Sequence, residues 1–265
     1  MLYTCTATMV SAAGTLPGMR PPPGRPWVIA HRGASAAFPE NTLAAFCGAA
    51  ALGADAVEFD VRRTADGAAV VHHDAEVPGV GAIVAHTAAA LRRRAPWVPT
   101  LAEALAACGG MWVDVEVKNS PADPDWDPDD TLVARVIAHL RDEGWMGAVL
   151  LTSFNPATLA RARSLAPGLS TGRLVEAAEP LPAAPARAAA AGHAALLPHA
   201  AALAGDAAVA AVAEAHRAGI GLIAWTVDDP QEGRRLAAAG LDGIITNRPD
   251  ALRSALDEHR YHDGG

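Results

Sequence analysis

Cysteine is scarce: Cys5, Cys47 and Cys108 are the only three in 265 residues, and no two share a CxxC spacing. An odd, scattered set supports neither a disulfide framework nor a zinc site, so free thiols in a reducing compartment, and with them a cytoplasmic location, are expected. Positive charge is short as well. Lys and Arg number 21 against 29 acids, a net charge of −8 and a pI near 5.6. That balance excludes nucleic acid or an anionic membrane surface as the main partner, and an anionic ligand would need a local positive site. No apolar run approaches the ~20 residues of a membrane span, so no stable membrane association is expected. No basic residue precedes Arg20, whereas a secretory signal wants a charged start and a longer apolar stretch. Residues 1–26 therefore read as a disordered leader, with Met9 or Met19 as alternative starts. There is no recognisable internal repeat, and nothing in the sequence sets an oligomeric state.

What is present is apolar and periodic. At 51% hydrophobic residues the chain can build one sizeable core. Strand-like runs at 27–30, 56–61, 111–119, 148–154, 173–176, 195–198, 221–227 and 243–246 alternate with segments of helical spacing. Thr100 with Glu103 three residues on is a capping-box pair, and Asn41 or Thr42 can cap the helix after the first strand. Strands alternating with ten-to-fifteen-residue helices imply parallel βα units, and eight of them in roughly 250 residues imply a single-domain α/β fold, a (β/α)8 TIM barrel. The barrel is expected over 27–258, with a short tail at 259–265. Asp66-Gly67 turns the second strand into the run 69–73, and residues 75–98 read as an irregular loop insertion after strand two.

Chemistry-bearing residues crowd between His31 and Asp74. In VEFDV the alternation puts Glu58 and Asp60 on one face and Val57, Phe59 and Val61 on the other. Two acids on one face of a buried strand are costly without a cation between them, and a hard divalent metal with oxygen ligands resolves the cost. His31, followed by Arg32 and Gly33, closes the apolar run WVIA, and His73-Asp74 closes the next one. A third cluster lies in MWVDVEVKN, where Asp114, Glu116 and Lys118 share a face. All six of His31, Glu58, Asp60, His73, Glu116 and Lys118 sit late in their strands, at the mouth where barrel enzymes place reactive groups.

The series HRG, PENT followed by AF, GAD-VE-DV and T-DG-VV-HD, in this order, resembles the glycerophosphodiester phosphodiesterase family. ExK at 116–118, SF at 153–154, WTV at 225–227 and DGIIT at 242–246 extend the resemblance over roughly 27–250. It implies a phosphoric diester hydrolase that releases glycerol 3-phosphate and an alcohol from a small-molecule glycerophosphodiester. It further implies Glu58, Asp60 and Glu116 as ligands of a divalent metal ion (Mg2+ or Ca2+), His31 and His73 as acid/base pair, and Arg32 and Lys118 holding the phosphate. Trp225 either packs or stacks over the substrate. The chain departs from the family pattern in AEVPGVGAIVAH after Asp74, where a leucine and an Arg-Thr pair are usual, and in TNRP where Asp-aromatic-Pro is common.

Plainer structural roles are expected for other residues. His72 faces away from His73, Asp114 is a core polar group a step deeper than Glu116, and Arg92 to Arg94 are solvated. Two other functions share the same pattern. One is a phospholipase D-like enzyme on lysophospholipids, which needs an apolar surface at the mouth. The other is a catalytically silent phosphodiester-binding barrel, disfavoured because both histidines and all three acids are present.

Overall fold

The computed structural model describes residues 21–22 and 24–262, with side chains through 258. Residues 1–20, and with them Cys5, both alternative starts and most of the expected leader, lie outside the described residues. The leader's last residues are tied down, because the Arg25 guanidinium forks onto both oxygens of Asp55 at 2.6 and 2.8 Å.

Strand β1 (Trp27–His31) is followed by helix α1 (Leu43–Ala51), and β2 (Ala56–Arg63) by short strands β3 (Ala69–Val71), β4 (Glu76–Val77) and β5 (Gly81–Ala82) and helices α2 (Ala88–Arg94) and α3 (Leu101–Ala107). Then come β6 (Trp112–Val117), α4 (Thr131–Asp142), β7 (Val149–Ser153), α5 (Pro156–Leu165), β8 (Ser170–Val175) and α6 (Ala184–Ala190). The chain finishes with β9 (Ala195–Pro198), α7 (Ala207–Ala218), β10 (Gly221–Ala224), α8 (Pro230–Ala238), β11 (Gly243–Thr246) and α9 (Pro249–His262). Eight strands pair in parallel in the order β1, β2, β6, β7, β8, β9, β10, β11 and close through β1 with β11. This is the expected (β/α)8 barrel. Closure removes every edge from the parallel sheet, and β3 adds to β2 antiparallel, reversing the chain above the mouth.

The core lies in two places. Inward residues Ile29, Leu150, Leu197, Ile223 and Ile245 fill the barrel, while the outward faces of the strands pack on the helices, as in Phe46 of α1 against Phe59 of β2 at 5.4 Å. Helix α1 starts where Thr42 accepts from the Ala45 amide, and α3 carries the complete Thr100–Glu103 capping box.

Four boundaries differ from the expectation. The insertion is not irregular: it holds the β4–β5 hairpin and α2, whose last turn carries Arg92 to Arg94, and its own small core of Val70, Val77, Ile83, Leu91, Ala95 and Val98. Strand β8 begins at Ser170. Strand β10 stops at Ala224, ahead of a cis Trp225–Thr226 peptide. Helix α9 continues to His262, past the expected end at 258. Cys108 is a free buried thiol, whereas Cys47 is disulfide-bonded, which corrects the expectation of three free thiols. Among the described residues, no helix is long and apolar enough to cross a membrane.

Candidate active site

The mouth is assembled by short-range geometry at β1 and long-range register elsewhere. After His31 the backbone turns through left-handed Arg32 (φ 55°) and Gly33 (φ 80°). A Cβ on Gly33 would lie 2.7 Å from the Ala45 backbone carbon, so glycine is required both by conformation and by the close approach of α1. The turn aims the Arg32 amide at Glu58 Oε2 (2.9 Å). Its guanidinium reaches Glu40 (2.9 Å) and Asp60 Oδ2 (3.3 Å). Asn41, also left-handed (φ 54°), donates its side-chain amide to Asp60 Oδ2 at 2.8 Å.

Parallel register between β2 and β6 sets Glu58 beside Asp114 and Asp60 beside Glu116. Glu58, Asp60 and Glu116 each offer a carboxylate oxygen within 4.8 Å of the others, and they are only 3%, 1% and 8% exposed. Lys118 extends over them, its Nζ 2.6 Å from Glu116 and 3.0 Å from Asp60. The three acids are not equivalent. Burial, then repulsion from Asp60, Glu116 and Asp114, pushes Glu58 well above the usual carboxylate range. Burial also lifts Glu116 to about 7 against the pull of Lys118. Burial acts on Asp60 in the same sense, but Lys118 and Arg32 outweigh it and hold that carboxyl well below the ordinary value.

The donor set fits a hard divalent cation. Glu58 Oε1 is buried with no hydrogen-bond partner, as is Asp114 Oδ2, and a carboxylate so placed is stabilised by a cation bound at oxygen distances. Asp114 accepts from the Thr152 hydroxyl at 2.6 Å, and burial raises it to about 8. It stands outside the close three-acid group yet lines the same mouth.

His31 sits at the end of β1 with Nδ1 2.7 Å from Asn247 Oδ1. His73 enters from above. After β3, the His72 amide binds the Asp60 carbonyl (3.0 Å), and Arg62 Nε donates to the His73 carbonyl (2.7 Å), leaving the imidazole over the acids with Nδ1 2.7 Å from Asp74. Burial lowers both imidazoles, against the pull of Asp60. His72 instead turns its Nδ1 to the Asp74 carbonyl (2.9 Å). Both histidines, Arg32, Glu58, Glu116 and Lys118 line one cavity of about 410 Å3, with Asp60 beneath. Trp225 lines it too, held by an indole N–H to the Leu197 carbonyl (2.8 Å) and edge-on to Phe154 at 5.4 Å. It packs and faces the cavity at once.

Sequence reading missed Arg62, Asn41, Asp228 and Asn247. Arg62, 5% exposed, joins β2 to the acidic loop after β6 through Asp125 (2.7 Å). The acids of that loop are consumed internally: Arg63 lies 3.5 Å from Asp127, and Asp130 accepts from Thr158 at 2.6 Å. The run DPDWDPDD was the signal that a buried arginine is needed nearby. Asn247 lies in the TNRP segment, which was visible only as a departure.

Residues 31–251 match the model of the glycerophosphoryl diester phosphodiesterase family. A glycerophosphodiester phosphodiesterase of Caldanaerobacter subterraneus is 31% identical, over 85% of this chain and 95% of the relative. A candidate glycerophosphoryl diester phosphodiesterase from Silicibacter pomeroyi superposes with TM-score 0.81 at 30% identity, covering 93% of this chain and 98% of that one. A phosphodiesterase of Oleispira antarctica, solved with its product sn-glycerol-3-phosphate, superposes with TM-score 0.77 at 29% identity, over 88% and 97% of the two chains.

Proposed function

The chain belongs to the glycerophosphoryl diester phosphodiesterase family, and we propose that it hydrolyses glycerophosphodiesters to glycerol 3-phosphate and an alcohol at the β1–β2–β6 side of its barrel mouth. The observation that carries this reading is one cavity lined by His31, His73, Arg32, Lys118, Glu58 and Glu116, with Asp60 beneath completing the three-acid cluster. Glu58, Asp60 and Glu116 would hold a divalent cation, Mg2+ or Ca2+. When bound, it neutralises charge on the non-bridging phosphate oxygens.

The chain's own residues do the rest. Arg32 and Lys118, each already committed to Asp60, carry the positive charge that an otherwise acidic protein brings to its anionic substrate. His31 and His73 approach the acids from different segments, β1 and the return after β3. One, as neutral imidazole, takes the proton of the attacking group, either water itself or the adjacent glycerol hydroxyl with water then opening the cyclic phosphate, and the other, as imidazolium, gives a proton to the departing alkoxide. Trp225 and Phe154 line the same cavity and give the alcohol portion an apolar wall.

The test is hydrolysis of glycerophosphocholine with and without EDTA, repeated on Glu58→Gln and Glu116→Gln. Activity should vanish in chelator and in both variants while the fold is retained. Full turnover in excess chelator would refute the cation.

A further inference from the structure

Where the loops after β10 and β11 meet His31, Asp228, Asn247 and Ser35 form a polar chain to the imidazole. Asp228 Oδ2 lies 2.6 Å from the Asn247 side-chain nitrogen, and Asp228 Oδ1 accepts from the Asn247 backbone amide (2.7 Å) and from the Thr246 hydroxyl (3.1 Å). Asn247 Oδ1 in turn lies 2.7 Å from His31 Nδ1 and 2.8 Å from the Ser35 hydroxyl. The parallel pairing of Ala30 with Thr246 places the next residues, His31 and Asn247, side by side at the mouth.

Amide oxygen and nitrogen are told apart only by their partners. Here the partner decides. A carboxylate accepts and does not donate, so the group of Asn247 that touches Asp228 is its NH2. Reversing the amide would set oxygen against oxygen at 2.6 Å. The group that faces His31 is then the amide oxygen, also an acceptor, and a 2.7 Å contact between it and a ring nitrogen requires a proton on that nitrogen. Ser35 can donate to the same oxygen but cannot supply the proton between it and the ring.

We propose that Asp228 and Asn247 are positioning residues that fix His31 as the Nδ1–H tautomer, with Nε2 the nitrogen that exchanges protons with the substrate. Nδ1 keeps its proton whether the ring is neutral or charged. Nε2 lies on the cavity side, 4.0 Å from Glu58 Oε2. An amide at this place orients the ring without a second negative charge beside the acid cluster, which a carboxylate at 247 would add. The inference rests on the reading of His31 as half of the acid/base pair.

Long-range proton–nitrogen correlation on uniformly 15N-labelled full chain, above the pH at which imidazoles titrate, tests it directly. The His31 signals are identified by their loss in His31→Gln. The wild type should show the Nδ1–H pattern. Asn247→Ala should lose it and lower kcat by roughly 10–100-fold, the usual effect of removing a group that orients an active-site imidazole, with KM little changed. Asp228→Ala, which removes the acceptor that fixes the amide's orientation, should weaken the pattern. An Nε2–H pattern in the wild type, or Asn247→Ala with pattern and kcat unaltered, would overturn the assignment. Full activity in His31→Gln would instead sink the acid/base reading, so the two failures are distinguishable.

Discussion

Replacing Lys118 by Met removes a cation from between buried acids without removing its methylene stem. The side chain is 12% exposed and its ammonium lies 2.6 Å from Glu116 and 3.0 Å from Asp60. Glu58 and Asp114 complete a group of four buried carboxyls, against which Lys118 and Arg32 are the cations in contact. Breaking one partner out of a buried ion pair typically costs about 3–5 kcal/mol, and the metal-free variant should be destabilised by that order. A divalent cation can replace the lost charge. Wild-type cation binding must also overcome repulsion from the ammonium, whereas the variant's does not. The variant should therefore gain more stability from added Mg2+ than the wild type does, following the linkage RT ln(1 + [L]/Kd). Thermal unfolding of both proteins in EDTA and across a Mg2+ titration reads this out. Turnover of diesters should fall in the variant even where its stability is restored, because charge facing the substrate is gone. Equal stability of variant and wild type in EDTA would refute the counter-ion argument, and weaker Mg2+ stabilisation of the variant would refute the replacement.

His31→Ala and His73→Ala should each lower kcat by roughly 10²–10⁴-fold, with His72→Ala far milder; steady-state kinetics with the three variants would expose a wrong assignment if His72 proved the most damaging. His193, buried and bonded to the Thr171 hydroxyl at 2.9 Å, is lowered by burial to about 4. Its folded pKa lies below the unfolded value near 6.5, so the unfolded chain takes up the proton first; the stability contribution is complete above 6.5 and declines as pH falls toward 4. About 2 kcal/mol should be lost by pH 5, and urea unfolding at pH 8 and 5 should show a smaller loss in His193→Gln; identical losses would contradict the assignment. Among described residues the large exposed apolar side chains are Leu43, Trp97, Trp126 and Val209, so water-soluble glycerophosphodiesters should be hydrolysed well ahead of lysophospholipids, with no sedimentation on anionic vesicles. Preference for lysolipid micelles would move the protein to the lipid-acting class.

The barrel was legible because buried parallel strands read as short apolar runs between amphipathic segments, as in WVIA and GIIT. Its misread parts share a cause. Strands β4 and β5 have two residues each and α2 seven, too few for either period to register. At β8, Ser170, Thr171 and Gly172 give no apolar signal, yet Gly172 is where Leu197 and Thr152 crowd the barrel interior, 2.6 and 3.0 Å from where a Cβ would stand. In GLIAWTV the apolar pattern runs beyond the strand: half-buried Trp225 keeps an isolated bridge to His199 past the end of β9, and buried Val227 rests its amide on the Ile245 carbonyl (2.9 Å).

The site was half legible for a different reason. Alternation within one strand says which side chains share a face, so Glu58 with Asp60 and Asp114 with Glu116 could be grouped from sequence. Register between strands, set by the closed sheet, decides which acid meets which. It puts Asp60, and not Glu58, beside Glu116. The cations and amides then arrive from far away in sequence: Asn41 across 19 residues to Asp60, and Asn247 across 216 to His31. Lys118 and Asn41 converge on Asp60 with Arg32, which makes Asp60 the acid held ionised, while Glu58 keeps a bare buried oxygen. Three acids that look alike in sequence are thereby set apart: Asp60 is held ionised by Lys118 and Arg32, Glu116 shares Lys118 but is lifted by burial to about 7, and Glu58 is pushed well above the usual carboxylate range. That asymmetry follows from tertiary placement alone, and it is what makes the cluster suited to taking up a divalent ion.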